Sequence, residues 1–314
     1  MQRLPPVPSR SRRAVGAPAP APVASRHARR AAILRRAGLA LLAGLALVPA
    51  VPARAAEGTF RVETAVYDAD DAEHPVARSL TLFKDGVAWD FLETLDEDGR
   101  PLGVEPAEII LHDPARERIV LVDPARNVKT RIDQLRLERL RTSLASWARK
   151  SDDPLLRWAG GPDFTGSFVE EEAAEGAIVL AGPRVRYEVH HEPAPGADAA
   201  GEYRRFADTA LLVKALVHPG GLPPFARIAI NGRVAAADAI PASVRLSILP
   251  RFGRITGRPS VSRSEHRALA SWTESDHRRV ATAGEELSLA EEVDLPSYAG
   301  TAVAAGADGD TVRR

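Results

Sequence analysis

The sequence predicts an α+β protein: a curved antiparallel β-sheet, an incomplete barrel, with helices covering one face. Three observations lead there. Short runs of alternating apolar and polar residues, separated by turn formers, dominate the chain from about Thr59. Two longer segments, opening near Asp133 and Tyr203, change to an apolar spacing of three and four. The helical segments also do not alternate one for one with the strands, so they segregate to a face of an antiparallel sheet and do not wind a parallel one.

Taken in order, the first 55 residues stand apart. They hold ten arginines and no carboxylate, Glu57 being the first acid. Arg29, Arg30, Arg35 and Arg36 precede the apolar run AGLALLAGLALV from Ala37, and Ala53 and Ala55 form an Ala-x-Ala exit. A basic region, a short apolar core and small exit residues predict a signal peptide, residues 1–55, cleaved after Ala55. About 12 apolar residues fall short of the ~20 that span a bilayer, so no transmembrane segment is expected once it is removed. The expected location is exported, periplasmic or extracellular.

The chain as a whole is neutral, with 42 basic and 42 acidic residues. The part beyond the arginine-rich leader is therefore acidic by ten charges, which argues against nucleic acid as a partner. There is no cysteine, which excludes disulfides, thiol nucleophiles and Cys-ligated metals. Residues 56–296 read as a single α+β domain, with 250–296 as a C-terminal β extension and 297–314 as a disordered tail.

Thr59 to Tyr67 alternates as a strand. The segment ARSLTLFKDGVAWDFLET is a hairpin about Asp85-Gly86, a pair that tolerates positive φ at both central positions. Next come EIILHDPARERIVLVDPARNVKTRI, three short β-branched runs joined by two copies of Asp-Pro-Ala-Arg. Asp before Pro opens a turn, because Pro fixes φ and the Asp carboxylate accepts a nearby backbone N–H. Asp113 and Asp123 are read as turn residues on that ground. Asp133 then caps a helix to about Lys150, with Leu137, Leu140, Leu144 and Trp147 as its apolar stripe.

Strands are expected again at Phe164 to Glu170, Ala177 to Ala181 and Val185 to His191. A helix follows from Tyr203 to Val217, and a third one in FARIAINGRVAAAD. Further strands are expected at Val244 to Ile248, His266 to Trp272, Arg279 to Ala283 and near Leu287.

Few residues suggest chemistry. There is no Gly-x-Ser-x-Gly elbow, phosphate loop or dinucleotide fingerprint, and no histidine pair spaced to chelate zinc on a helix. His190 and His191 are neighbours on a strand and point to opposite faces. Asp96, Asp98, Gly99 and Glu105 fall where a calcium loop needs them, but Thr94 stands in the first, charged position. No catalytic residue, metal site or cofactor is assigned.

The hairpin LTLFKDGVAWDFL, the three-run meander and the amphipathic segment after it resemble, in layout over Thr59 to Ile248, the bacterial periplasmic lipoprotein-carrier superfamily. No motif matches residue by residue. The resemblance implies an incomplete barrel closed by a helical lid around a cavity for acyl chains. Trp89, Phe91, Leu121, Leu140 and Trp147 are then the expected cavity lining, for a lipid or other hydrophobic ligand in a non-enzymatic carrier or sensor. Two alternatives stand beside it. One is a cell-envelope interaction or assembly module that meets a protein partner and no small ligand. The other is a secreted hydrolase using carboxylates such as Asp96, Asp98 or Glu170 to Glu172.

Overall fold

A computed structural model describes residues 58–169, 176–250 and 259–300. The expected signal peptide, Glu170 to Glu172 and residues 301–314 lie outside the described residues.

The strands are β1 (Thr59–Tyr67), β2 (Ala77–Lys84), β3 (Val87–Thr94), β4 (Glu108–Asp113), β5 (Arg118–Asp123), β6 (Val128–Asp133), β7 (Ile178–Gly182), β8 (Val185–Pro193), β9 (Ala239–Ile248), β10 (Ser260–Leu269) and β11 (Glu291–Glu292). The helices are α1 (Gln134–Arg149), α2 (Pro154–Ala159), α3 (Ala199–Val217), α4 (Phe225–Ala236) and α5 (Glu274–Leu289). All strands join one curved, unclosed sheet in the order β11-β6-β5-β4-β3-β2-β1-β10-β9-β8-β7. Every ladder is antiparallel except the two-residue β11–β6 pair. β10 returns to pair with β1, so the N-terminal meander and the C-terminal strands form one continuous layer.

The turns follow their local chemistry. Asp85 (φ 51°) and Gly86 (φ 78°) both occupy the left-handed region, as a tight two-residue hairpin requires. In both Asp-Pro-Ala-Arg turns the Asp carboxylate accepts the arginine's backbone N–H, at 3.3 Å for Asp113–Arg116 and 3.0 Å for Asp123–Arg126. The same arginine folds its guanidinium back onto that carboxylate. The fifth residue, Glu117 or Asn127, turns left-handed at φ 49° or 51°. The duplicated motif is therefore a duplicated turn, as its sequence predicts.

Side chains on the concave face meet α3 and α4. Phe60 and Phe83 stack with ring centroids 4.1 Å apart, and Phe206 of α3 meets Phe83 edge-on at 5.7 Å. Val62, Ile110, Ile119, Leu121 and Ile132 complete this core. α4 packs Phe225, Ile230 and Val234 on Leu180, Val185, Tyr187 and Val189 of β7 and β8.

Five expectations are corrected. Phe164 to Val169 is not a strand: Thr165–Ser167 is a 3-10 turn, and Phe168 makes one isolated bridge to Leu180. Arg279 to Ala283 and Leu287 are not strands but lie within α5. Thr273 and Asp276 form a reciprocal capping box at its start, and Val280, Ala283 and Leu287 recur at helical spacing. α5 covers the convex face, packing on Leu82, Phe91, Leu111 and Val120, so helices add a layer on the side opposite α3 and α4. The C-terminal extension is thus a strand–helix unit, not purely β. The tail does not begin at residue 297. Residues 295–300 are helical, and Tyr298 is buried with its hydroxyl donating to Glu108 Oε1 at 2.7 Å.

Candidate functional site

Along β1 and its neighbours the face under α3 changes from apolar to polar. Register explains the change. Val62 pairs with Ala268, and the next residue pair on the same face is Thr64 with His266. Thr64 also faces Ser79 on β2, and Thr81, on the same face of that strand, faces Asp90 on β3. A period of two therefore gathers Thr64, Ser79, Thr81, Asp90 and His266 on one surface.

These groups bond to one another. His266 Nδ1 lies 3.1 Å from Thr64 Oγ1, and Nε2 lies 2.9 Å from Ser264 Oγ. Both ring nitrogens thus have hydroxyl partners. Thr81 Oγ1 donates to Asp90 Oδ1 at 2.7 Å. Tyr203 of α3 meets the His266 ring edge-on at 6.5 Å between centroids.

The helices add Arg227. It projects from α4, and its charge acts on His266 and on the Tyr203 and Tyr187 hydroxyls. Its Nη1 is buried and has no hydrogen-bond partner, and among the described residues it forms no ion pair. Asp208 of α3, whose charge reaches Arg227, accepts from Asn231 Nδ2 at 2.8 Å and faces Arg204 Nε at 3.6 Å.

Electrostatics reflect an enclosed space. Burial, with the Arg227 charge adding to it, pushes His266 down to about 3. Burial raises Asp90, against hydrogen bonds from Thr81 and Ser79. Burial also lowers Arg227, with Tyr203, Tyr187 and Asp208 opposing. All three residues are surrounded by protein, yet each keeps part of its surface accessible.

The five expected lining residues do not come together. Leu121 is fully buried in the concave core. Trp89 and Phe91 alternate with Ala88 and Asp90, so they sit on the opposite, convex face under α5. Leu140 is half-buried, and Trp147 is 55% exposed. At ~100° per residue, Trp147 lies about a quarter-turn from the Leu137–Leu144–Ala148 line that packs inward. Leu137 and Leu144 of the expected stripe pack inward, and Ala148 takes the place expected of Trp147.

Sequence reasoning missed Arg227 altogether. A signal exists: Ile230, Asn231 and Val234, three to seven positions on, are all buried, so Arg227 stands on or beside the inward face of α4. Asp96 and Asp98, proposed as hydrolase carboxylates, form a surface turn in which Asp96 Oδ1 accepts the N–H groups of Asp98 and Arg100.

Elsewhere, a groove of about 570 Å³ lies between α1, α3 and α4, floored by Phe164, Phe225 and Ile228 and rimmed by Arg141, Arg149 and Arg204. No cluster of His, Asp and Glu suited to a metal ion occurs among the described residues. No helix among them is long and apolar enough to cross a membrane. The chain matches no protein-family model, and no curated protein matches it.

Proposed function

We propose that the protein is an exported, non-enzymatic carrier or sensor that holds a lipid or other hydrophobic molecule between the concave sheet face and the α3–α4 layer. What supports this reading is the curved, unclosed sheet with α3 and α4 over one face, where Asp90, Arg227 and His266 keep part of their surface accessible. A layer packed only for stability would be apolar there, because unpaired polar groups destabilise. The unclosed sheet supplies a mouth without breaking a ladder. The layout shared with periplasmic lipoprotein carriers and the leader-like residues 1–55 agree with this reading.

A neutral fluorescent probe tests it. N-phenyl-1-naphthylamine should bind the folded protein saturably, at one site, and be displaced by long-chain compounds. Enhancement that is weak, unsaturable or unaffected by competitors would remove the carrier reading.

The envelope-interaction alternative draws on different residues. Leu102 and Val104 in the β3–β4 loop, with Trp147 on α1, are exposed apolar side chains. Loss of a specific envelope partner on substituting them, with probe binding intact, would favour that reading.

A further inference from the structure

We propose that the groove between α1, α3 and α4 is a docking site for an acidic amphipathic helix of a partner protein, whose apolar side lies on the groove floor and whose flanking carboxylates meet Arg141, Arg149 and Arg204. This surface stands apart from the concave face, and the proposal does not rest on the carrier reading.

Two helices line the groove with one side each. α1 and α4 both pack on α3, and the groove of about 570 Å³ lies between them. α4 contributes Phe225, Ile228, Ala229 and Gly232, at positions i, i+3, i+4 and i+7. That is one face about 10.5 Å long. α1 contributes Glu138, Arg141, Thr142, Ala145 and Arg149, again one side of a helix, over about 16 Å. At the floor, Ala145, Ile228 and Ala229 keep part of their surface accessible. Gly232 presents no side chain, and a Cβ there would lie 3.4 Å from Arg204 Nη2, so that guanidinium rests against α4. A docked helix with apolar anchors at i, i+3, i+4 and i+7 covers the same ~10.5 Å.

Charge selects the partner. The lining holds three arginines against one acid, Glu138. Arg141 and Arg149 are exposed and form no ion pair among the described residues, whereas Arg204 faces Asp208 at 3.6 Å. The chain beyond residue 55 is acidic by ten charges, so this basic strip is a local exception. An acidic partner is repelled by the rest of the surface and steered to the groove. Spacing then separates a helix from a lipid head. Arg141 and Arg149 stand eight residues apart, about 12 Å along α1, and Arg204 lies across from them beside Gly232. A single headgroup concentrates its charge at one point and meets one of these at a time. Carboxylates set along both flanks of a helix meet all three, and the fork of each arginine suits them.

The test is fluorescence anisotropy with a labelled, hydrocarbon-stapled helical peptide that carries leucines at i, i+3, i+4 and i+7 and glutamates on both flanks of that stripe. The wild type should bind it saturably, and more weakly as salt rises. R141Q/R149Q should lose roughly 3- to 30-fold in affinity, the range of two exposed ion pairs. A second peptide, with glutamine for every glutamate, should bind the wild type and R141Q/R149Q alike. T142W, on the α1 wall, should block the groove with its bulk. All three positions are exposed, so these variants should keep the wild-type fold, which circular dichroism checks. Equal affinity of the wild type and R141Q/R149Q for the glutamate peptide, or no binding of that peptide, overturns the proposal. Binding to phosphatidylglycerol vesicles that is lost in R141Q/R149Q, with none to the peptide, overturns it in favour of a membrane surface. Peptide binding seen only once Glu170, Glu171, Glu172 and Glu175 are replaced by glutamine overturns it in favour of the chain's own acids. Failure of N-phenyl-1-naphthylamine to bind removes the carrier reading and leaves the docking site standing.

Discussion

Thr64 and His266 face each other across the β1–β10 ladder, Oγ1 to Nδ1 at 3.1 Å, and so tie the first strand of the sheet to a strand 202 residues later. With Ser264 on its other nitrogen, His266 is held neutral inside the fold. Its pKa of about 3 in the folded protein lies below the ordinary value of 6.5. The unfolded chain therefore takes up the proton first, and stability falls as pH drops from about 6.5 towards about 3. His112, lowered to about 4 by burial, acts in the same direction. The slope attributable to each is at most about 1.4 kcal/mol per pH unit. Urea denaturation between pH 7 and pH 4 should be steeper for the wild type than for H266Q. Equal slopes would show that His266 is not enclosed.

The twin Asp-Pro-Ala-Arg turns are alike in backbone and unequal in burial. Asp113 is 0% exposed and binds both Arg116 and Arg118, whereas Asp123 is half-buried and pairs with Arg126 at 3.3 Å. Asp113→Ala leaves two arginines facing an emptied buried position and should cost about 3 kcal/mol. Asp123→Ala loses mainly a turn cap and should cost about 1 kcal/mol. Equilibrium denaturation of the two variants checks this, and equal losses would contradict it.

Gly182, the last residue of β7, lies beneath the Trp158 ring: a Cβ there would sit 2.4 Å from Trp158 Cε2. Trp158 is fixed by Phe164, edge-on at 5.1 Å, and by a 2.9 Å bond from Nε1 to Ser167 Oγ. Gly182→Ala should push the indole off the strand and cost about 1–3 kcal/mol. A red-shifted tryptophan emission should accompany the loss, and unchanged emission would mean that the ring does not rest there.

The α5 cap joins the convex layer to the sheet. Asp276, 2% exposed, accepts from the Thr273 N–H at 2.6 Å and from Arg61 Nη1 of β1 at 2.7 Å. Thr273→Ala should cost about 1 kcal/mol. Asp276→Ala also leaves Arg61 with Glu63 as its remaining acid and should cost about 2 kcal/mol. Hydrogen exchange should localise the Asp276→Ala effect to α5 and the β1–β10 ladder. A uniform effect would argue against a separate convex layer.

The same region shows where the sequence could be read and where it could not. Asp85-Gly86 and both Asp-Pro turns were legible because their backbone conformations are set by adjacent residues. α1 was legible because Asp133 caps it and its leucines keep a helical period. α5 reads as strand because its apolar residues are sparse, and only the Thr273–Asp276 box marks it as a helix. The site failed for a different reason. Trp89 and Phe91 are large, apolar and correctly placed on one face of β3, but nothing local says which face is concave. That depended on α5 covering one side and α3 the other. Arg227 was hidden because its meaning comes from β10 and α3, which meet it only in the fold.

Native mass spectrometry of the protein purified from the compartment that holds it tests the central claim most directly. The account predicts a population carrying one small adduct, of the mass of a lipid or other hydrophobic molecule, released on unfolding. A wild-type spectrum of the bare polypeptide alone, before and after incubation with laurate, would contradict it.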